Sequence, residues 1–236
     1  MPTPMQRQRA RQRDERRAAL MTRTDGQATG TESQHIKLLA LNNDIRQLRS
    51  MELLSDRLEF KRNTLLPRWL PHAQAYLEGE RVHQNPVLVY CIIWLLDTGQ
   101  FEQALHWADI AIAQGQETPE NFKSGLPALV AHTILEWAEA EAERGHSTEP
   151  YFRQVFEKVR NTWRVNERLA ARYWRFAGLQ LLRGDDGKPL ASAISDPDIL
   201  QQADHCLAQA AWLHPKIQVK TLRQRIAARL RALQGT

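Results

Sequence analysis

The sequence predicts an all-α protein: a helical-hairpin array of tetratricopeptide-like character, preceded by one long helix and a basic disordered arm. Three observations lead there. Apolar residues recur three and four apart through much of the chain, as a buried helix face requires. Glycines stand singly between these stretches, where turns are needed. The first 30 residues are polar and arginine-rich and end in TRTDGQATGT, a composition that suits a linker. The expected division is an arm over residues 1–32, a long helix over 33–66, and a body over 67–236 that closes with a basic helix. With 236 residues, 42% of them hydrophobic, the chain has core material for one or two helical domains.

The arm carries Arg7, Arg9, Arg11, Arg13, Arg16, Arg17 and Arg23 against Asp14 and Glu15, a net charge of +5. Arginine presents a planar fork that matches phosphate oxygens two at a time, and each phosphate neutralised releases condensed counterions. Arg7, Arg9, Arg11, Arg13, Arg16 and Arg17 are therefore the expected DNA contacts. The competing reading is a solubilising tail. Residues Arg9–Leu20 contain no glycine or proline and can become helical on a partner.

From Ser33 to Leu66 no glycine or proline interrupts the chain, and Leu38, Leu41, Ile45 and Leu48 form an apolar stripe. Two readings stay open, a coiled-coil-like contact between subunits or packing on the body of the same chain; the first makes these four residues the oligomerisation element. Pro67 is expected to stop this helix, and with Pro71 to fix a bend before a short helix bearing Trp69 and Tyr76. Trp69 is either a wedge in the core or a platform for a base.

Pro86–Leu96 and Phe101–Ala113 read as a helical hairpin broken at Asp97, Thr98 and Gly99, although the β-branched content of the first half also admits a strand. Ala104, Leu105, Ala108 and Ile112 allow close helix approach. Helices are expected over 127–144, 149–163 and 165–183. Glu136, Glu139, Glu141 and Glu143 crowd the first of these, on a face suited to solvent or a protein partner. Residues 183–198 read as a solvated connector. Ala203, Leu207, Ala210 and Ala211 lead to Leu213, His214 and Pro215 in the manner of a second repeat ending. The last helix, expected over 215–233, sets Ile217, Leu222, Ile226, Leu230 and Leu233 on one face and Lys216, Lys220, Arg223, Arg225, Arg229 and Arg231 around it. Arg223, Arg225, Arg229 and Arg231 are the expected second DNA-contacting surface.

Residues 213–236 carry six cations and no carboxylate, so the stretch between the two basic ends sums to −6 within a total of +5. That segregation suits a polyanion held at the ends while the body stays available to other partners. The two cysteines, Cys91 and Cys206, sit inside apolar helical patterns and read as buried free thiols in a reducing compartment. No apolar run reaches the ~20 residues of a membrane span, and the start lacks the apolar centre of a signal peptide, so an intracellular protein without membrane contact is expected.

No arrangement of catalytic residues stands out. The sequence lacks GxxxxGK[ST], HExxH and a CxxC pair, and the DDG at 185–187 lacks the spacing of a calcium loop, so no metal or cofactor is expected. Asp97, Asp109, Glu136 and Asp196 are the carboxylates that a metal-dependent nuclease would have to bring together. On the residues alone, the enzyme question stays open, weighted toward binding.

The chain resembles the small terminase subunit family of temperate, contractile-tailed phages with cohesive genome ends. The resemblance is carried by the basic arm, by Leu65, Leu66, Pro67, Arg68, Trp69, Leu70 and Pro71, by Trp94, Leu95, Leu96, Asp97, Thr98 and Gly99 followed by Ala104 and Leu105, and by the repeat-like ending Ala203–Leu213. His72 departs from the pattern, which sets an aromatic residue after LLPxWLP. The resemblance implies a protein that recognises the packaging site on double-stranded phage DNA and assembles as a ring-like homo-oligomer. It further implies presentation of DNA to a separate large subunit holding the ATPase, in the host cytoplasm. It carries over no catalytic residue. The alternatives are a metal-dependent endonuclease subunit, a name sometimes given to the smaller chain of this family, and a non-catalytic helical scaffold.

Overall fold

The computed structural model describes residues 35–183 and 187–234. The expected arm over 1–32 lies outside them. Among the described residues every regular element is helical, and the sole β feature is an isolated bridge between Arg183 and Pro189. The fold is all-α. Two compact units divide at Pro67 and Arg68.

The first unit, over its described residues 35–67, begins with α1 (residues 35–50). The chain then leaves the helix at 51–53, with Leu53 extended at φ −80° and ψ 136°, before α2 (Leu54–Phe60). This break was not expected, because no glycine or proline marks it. Side chains supply the reason. Ser50 Oγ donates to the carbonyl of Gln47 at 2.8 Å, and Arg57 Nε donates to the carbonyl of Met51 at 2.8 Å, so acceptors that a continuous ladder would satisfy find other partners. Leu53 and Leu54 are left exposed.

A π-helical turn, Lys61–Leu65, follows α2 without a break and leads into α3 (Leu66–Leu77), which crosses the boundary between the units. The expected stop at Pro67 is therefore absent, and Pro71 lies inside α3. Proline lacks the N–H of the ladder and its ring crowds the carbonyl four residues back. Pro67 stands inside this continuous helical stretch, and the π turn just before it, where the Leu66 N–H bonds five residues back to the Lys61 carbonyl, supplies the shift in register that accommodates a residue without an N–H.

In the second unit α4 (Pro86–Asp97) starts where Asn85 accepts the Leu88 N–H at 3.1 Å and Pro86 occupies the first turn. Every residue from Val87 to Leu96 is buried. A helix surrounded on all sides shows no periodicity, which is why its sequence also admitted a strand. It ends at Thr98, whose hydroxyl donates to the Trp94 carbonyl at 2.8 Å, and at Gly99, which takes a φ of 77°. Packed on it are α5 (Phe101–Ala113) and α6 (Leu126–Glu143), and α6 also meets α7 (Tyr151–Asn161) and α8 (Glu167–Leu181). Consecutive helices from α4 to α8 contact one another, and α4, α6 and α8 touch in succession.

Gln116 ties the α3–α4 connector to the end of α5. Its buried amide donates to the Tyr76 hydroxyl at 2.8 Å and to the His83 carbonyl at 2.7 Å, while its oxygen accepts the Asn85 N–H at 2.7 Å. An aromatic group of Phe152, Phe156, Tyr173 and Phe176 fills the space between α7 and α8, and the Tyr173 hydroxyl donates to the Ala131 carbonyl of α6 at 2.7 Å.

The most extensive helix pairing is α8 with α9 (Pro197–Leu213). Gly178 makes it possible: a Cβ there would come within 3.0 Å of Leu207 Cγ and 3.1 Å of the Ala203 carbonyl oxygen. The described part of the connector ahead of α9 is more ordered than a solvated turn. Arg183 donates to the Ala142 carbonyl at 2.7 Å and also to that of Gly187, and Ala191, in a 3₁₀ turn (Ala191–Ala193), is buried with Leu200, Leu207, Val219 and Ile226. The last helix, α10 (Lys220–Gln234), starts five residues later than expected. His214 is extended before Pro215, and Gln218 takes a positive φ of 61°, so residues 214–219 form a turn anchored by buried Val219. Ile217 packs on the same core from this turn rather than from the helix.

Candidate nucleic-acid interface

Arg7, Arg9, Arg11, Arg13, Arg16 and Arg17 lie outside the described residues. The C-terminal arginines lie within them, and packing has divided them into two pairs. Arg223 reaches Asp204 of α9 through two bonds, Nε to Oδ1 at 2.7 Å and Nη2 to Oδ2 at 3.1 Å. The Asp204 hydrogen bond holds the Arg223 guanidinium above its ordinary pKa, burial opposing it. Arg229 donates from Nε to the carbonyl of Ile194 at 2.9 Å. Both are half-buried, and both fasten α10 to the rest of the unit. Arg225 and Arg231 are exposed, as are Lys216 and Lys220. Four cations thus face solvent at this end of the chain, with Trp212 beside them in sequence at 78% exposure.

On α1, Leu41 and Ile45 are buried, Leu48 is half-buried and Leu38 is exposed at 37%. Ile36 and Leu39 are also exposed, at 65% and 51%. The stripe read from the sequence is therefore largely covered within the single chain, and its open apolar surface is shifted to the neighbouring face. Trp69 is 2% exposed, which makes it a core wedge rather than a base platform; Arg68 lies over its ring at 5.2 Å.

The carboxylates that a nuclease would have to gather are apart and engaged. Asp109 is ion-paired with Lys158, Glu136 lies 3.1 Å from His132 Nε2, and Asp196 caps α9 by accepting the Asp198 N–H. Among the described residues no three His, Cys, Asp or Glu side chains come together as a metal-ligand group. The glutamates of α6 are partly used internally. Glu139 binds Arg172 of α8 at 2.6 Å, and Glu141 is held below the usual carboxylate range by its hydrogen bond to His146 and by Arg144. Burial pushes the Cys91 thiol up to about 12 and raises that of Cys206, so neither is a thiolate near neutral pH.

Two clefts of similar size differ in charge. One, of about 650 Å³, is lined by Lys123, His132, Arg168 and Arg172 over Phe122, Leu129 and Leu169. The other, of about 680 Å³ between α5 and α7, is lined by Glu102, Asp109 and Glu157 with His106 and Lys158. Lys123 and Arg168 escaped the sequence reading. They are 45 positions apart, and only the packing of α8 on α6 brings them to one cleft.

Fold and surface define an all-helical protein with cationic segments at both ends of its sequence. The phage small terminase subunit family matches over residues 38–168. Over 213 residues the chain is 36% identical to a protein of Haemophilus phage HP1 (strain HP1c1) named as a probable terminase, endonuclease subunit, a match covering 90% of this chain and 76% of that one. It is 26% identical over 159 residues to the terminase, endonuclease subunit of Escherichia phage P2, covering 67% of this chain and 63% of the relative. No solved structure matches the chain. The chain belongs to the phage small terminase subunit family, and its role lies in phage genome packaging.

Proposed function

We propose that this chain is a DNA-binding packaging adaptor: its arginine arm holds the phosphate backbone of double-stranded phage DNA, copies of the chain assemble into a closed oligomer, and the oligomer presents DNA to a large ATPase subunit in the host cytoplasm. The observation that carries this reading is charge segregation, +5 in residues 1–24 and +6 in residues 213–236 around a body of −6. Arg225 and Arg231 supply the exposed part of the second surface, with Lys216 and Lys220 beside them. Arg223 and Arg229 contribute by holding α10 in place. The exposed Ile36, Leu38 and Leu39 of α1 offer the apolar surface for contact between copies. In a ring, a modest patch on each copy becomes many linked contacts, which raises avidity through effective concentration.

The test is the salt dependence of duplex binding by the full chain and by a chain lacking residues 1–24. The full chain should lose affinity steeply with salt, and the shortened chain should bind weakly with a shallower slope. Equal affinity and slope in the two proteins would remove the arm from the account. A second reading, DNA cleavage by this chain, draws support from the endonuclease names of the two relatives. It requires cutting by the purified protein with magnesium or manganese that a single carboxylate substitution abolishes.

A further inference from the structure

The 650 Å³ cleft at the start of α8 combines two features that a duplex backbone alone does not use together. Its rim is cationic, and its floor is apolar and partly aromatic. Arg172 is neutralised by Glu139 and His132 is hydrogen-bonded to Glu136, but Lys123 and Arg168 are exposed and pair with no other described residue. Two uncompensated cations therefore stand over a floor that includes the half-buried Phe122, whose ring meets Tyr90 edge-on at 6.4 Å between centroids. A duplex offers phosphates on a convex surface and keeps its bases stacked inside, so it leaves such a floor uncovered. An unpaired nucleotide offers both parts at once: a base for the aromatic floor and a phosphate for the rim. The α5–α7 cleft of similar volume carries Glu102 and Glu157 beside the Asp109–Lys158 pair and would repel the same ligand.

We infer that the α6–α8 cleft is a binding site for single-stranded DNA, with Phe122 as a stacking surface and Lys123 and Arg168 as the phosphate contacts. The inference rests on the reading of this chain as a nucleic-acid binder, but it places a distinct strand type on the body rather than on the arm. Fluorescence anisotropy of the full chain should be measured with a labelled single-stranded oligonucleotide and with a blunt duplex, comparing wild type with the Lys123→Gln/Arg168→Gln double variant and with Phe122→Leu. Loss of one base stack and its phosphate contacts predicts a fall of about 10-fold or more for the single strand in both variants, with blunt-duplex affinity changed less than about 2-fold. Unchanged single-strand affinity in the double variant, or an equal fall on both DNAs, overturns the proposal. Binding of a free deoxynucleoside monophosphate as tight as that of the oligonucleotide also overturns it, because the cleft would then be a nucleotide pocket. If the duplex fails to bind while the single strand binds through the cleft, the arm reading falls and this one stands. Melting curves of each variant report that the fold is intact.

Discussion

Arg223 of α10 and Asp204 of α9 face each other as two parallel hydrogen-bonded pairs, 2.7 and 3.1 Å long. The fork geometry makes this the best-aligned ion pair at the C-terminal end, yet both side chains remain partly open to water, at 40% and 33% exposure. Solvent screening limits such a pair, so a double-mutant cycle with Arg223→Ala and Asp204→Ala should show a coupling of about 0.5–1 kcal/mol. Because the guanidinium is already committed, Arg225→Ala and Arg231→Ala should each weaken DNA binding more than Arg223→Ala. A larger effect from Arg223 would mean that DNA displaces Asp204.

Gly178 lies in the most extensive helix pairing of the second unit, where a Cβ would be crowded. Replacing it with alanine gains about 1 kcal/mol of helix propensity but forces a methyl against Leu207 and the Ala203 carbonyl, an overpacking cost of about 1–3 kcal/mol. The backbone oxygen cannot move aside as a side chain can. The net result should be a lower melting temperature, by a few degrees for a chain of this size, and Gly178→Val should be worse. A more stable alanine variant would show that the pairing of α8 and α9 is looser than it stands.

Gln116 satisfies three groups across two connectors. Its replacement by leucine keeps the volume but leaves the half-buried Asn85 N–H without this partner and the His83 carbonyl with the Tyr76 hydroxyl alone, a loss of about 0.5–1.5 kcal/mol. Amide exchange at Asn85 should speed up with the loss of stability. Unchanged exchange would mean that water takes over the bond.

Alkaline stability should depend on two buried acids. Burial holds the Cys91 thiol at about 12 and the Tyr173 phenol well above its ordinary value, so the folded chain keeps both protons after the unfolded chain has begun to release them. Their contribution is full below about pH 9 and is lost as pH rises through the folded values. Cys91→Ala and Tyr173→Phe should each flatten the decline of stability above pH 9, at the cost of a small cavity or a lost hydrogen bond at neutral pH. A decline of unchanged slope in both variants would assign it to other groups.

Much of the helical order was legible because local chemistry announces it. Pro86 and the break at Asp97, Thr98 and Gly99 are boundary signals that need no knowledge of the rest of the chain. The break at 51–53 was not legible, because it depends on Ser50 and Arg57 finding backbone acceptors rather than on a breaking residue. Pro67 misled for the opposite reason: a proline that would stop a regular helix is carried through by the π turn over Lys61–Leu65, which no residue type in the sequence announces. Site residues divide in the same way. Clusters contiguous in sequence, such as 223–231, could be seen, but which arginines face solvent depends on Asp204 and Ile194, both supplied from elsewhere in the chain. Lys123 and Arg168 carried no signal until the fold joined them.

Of the seven tryptophans, Trp69, Trp94, Trp107 and Trp163 are buried, whereas Trp212 stands in water at the end of α9. The chain therefore carries its own optical probe at the threshold of its basic tail. A water-borne quencher should reach this indole first, and any companion that settles over the tail should shield it and shift its emission to the blue, without a dye or a tag.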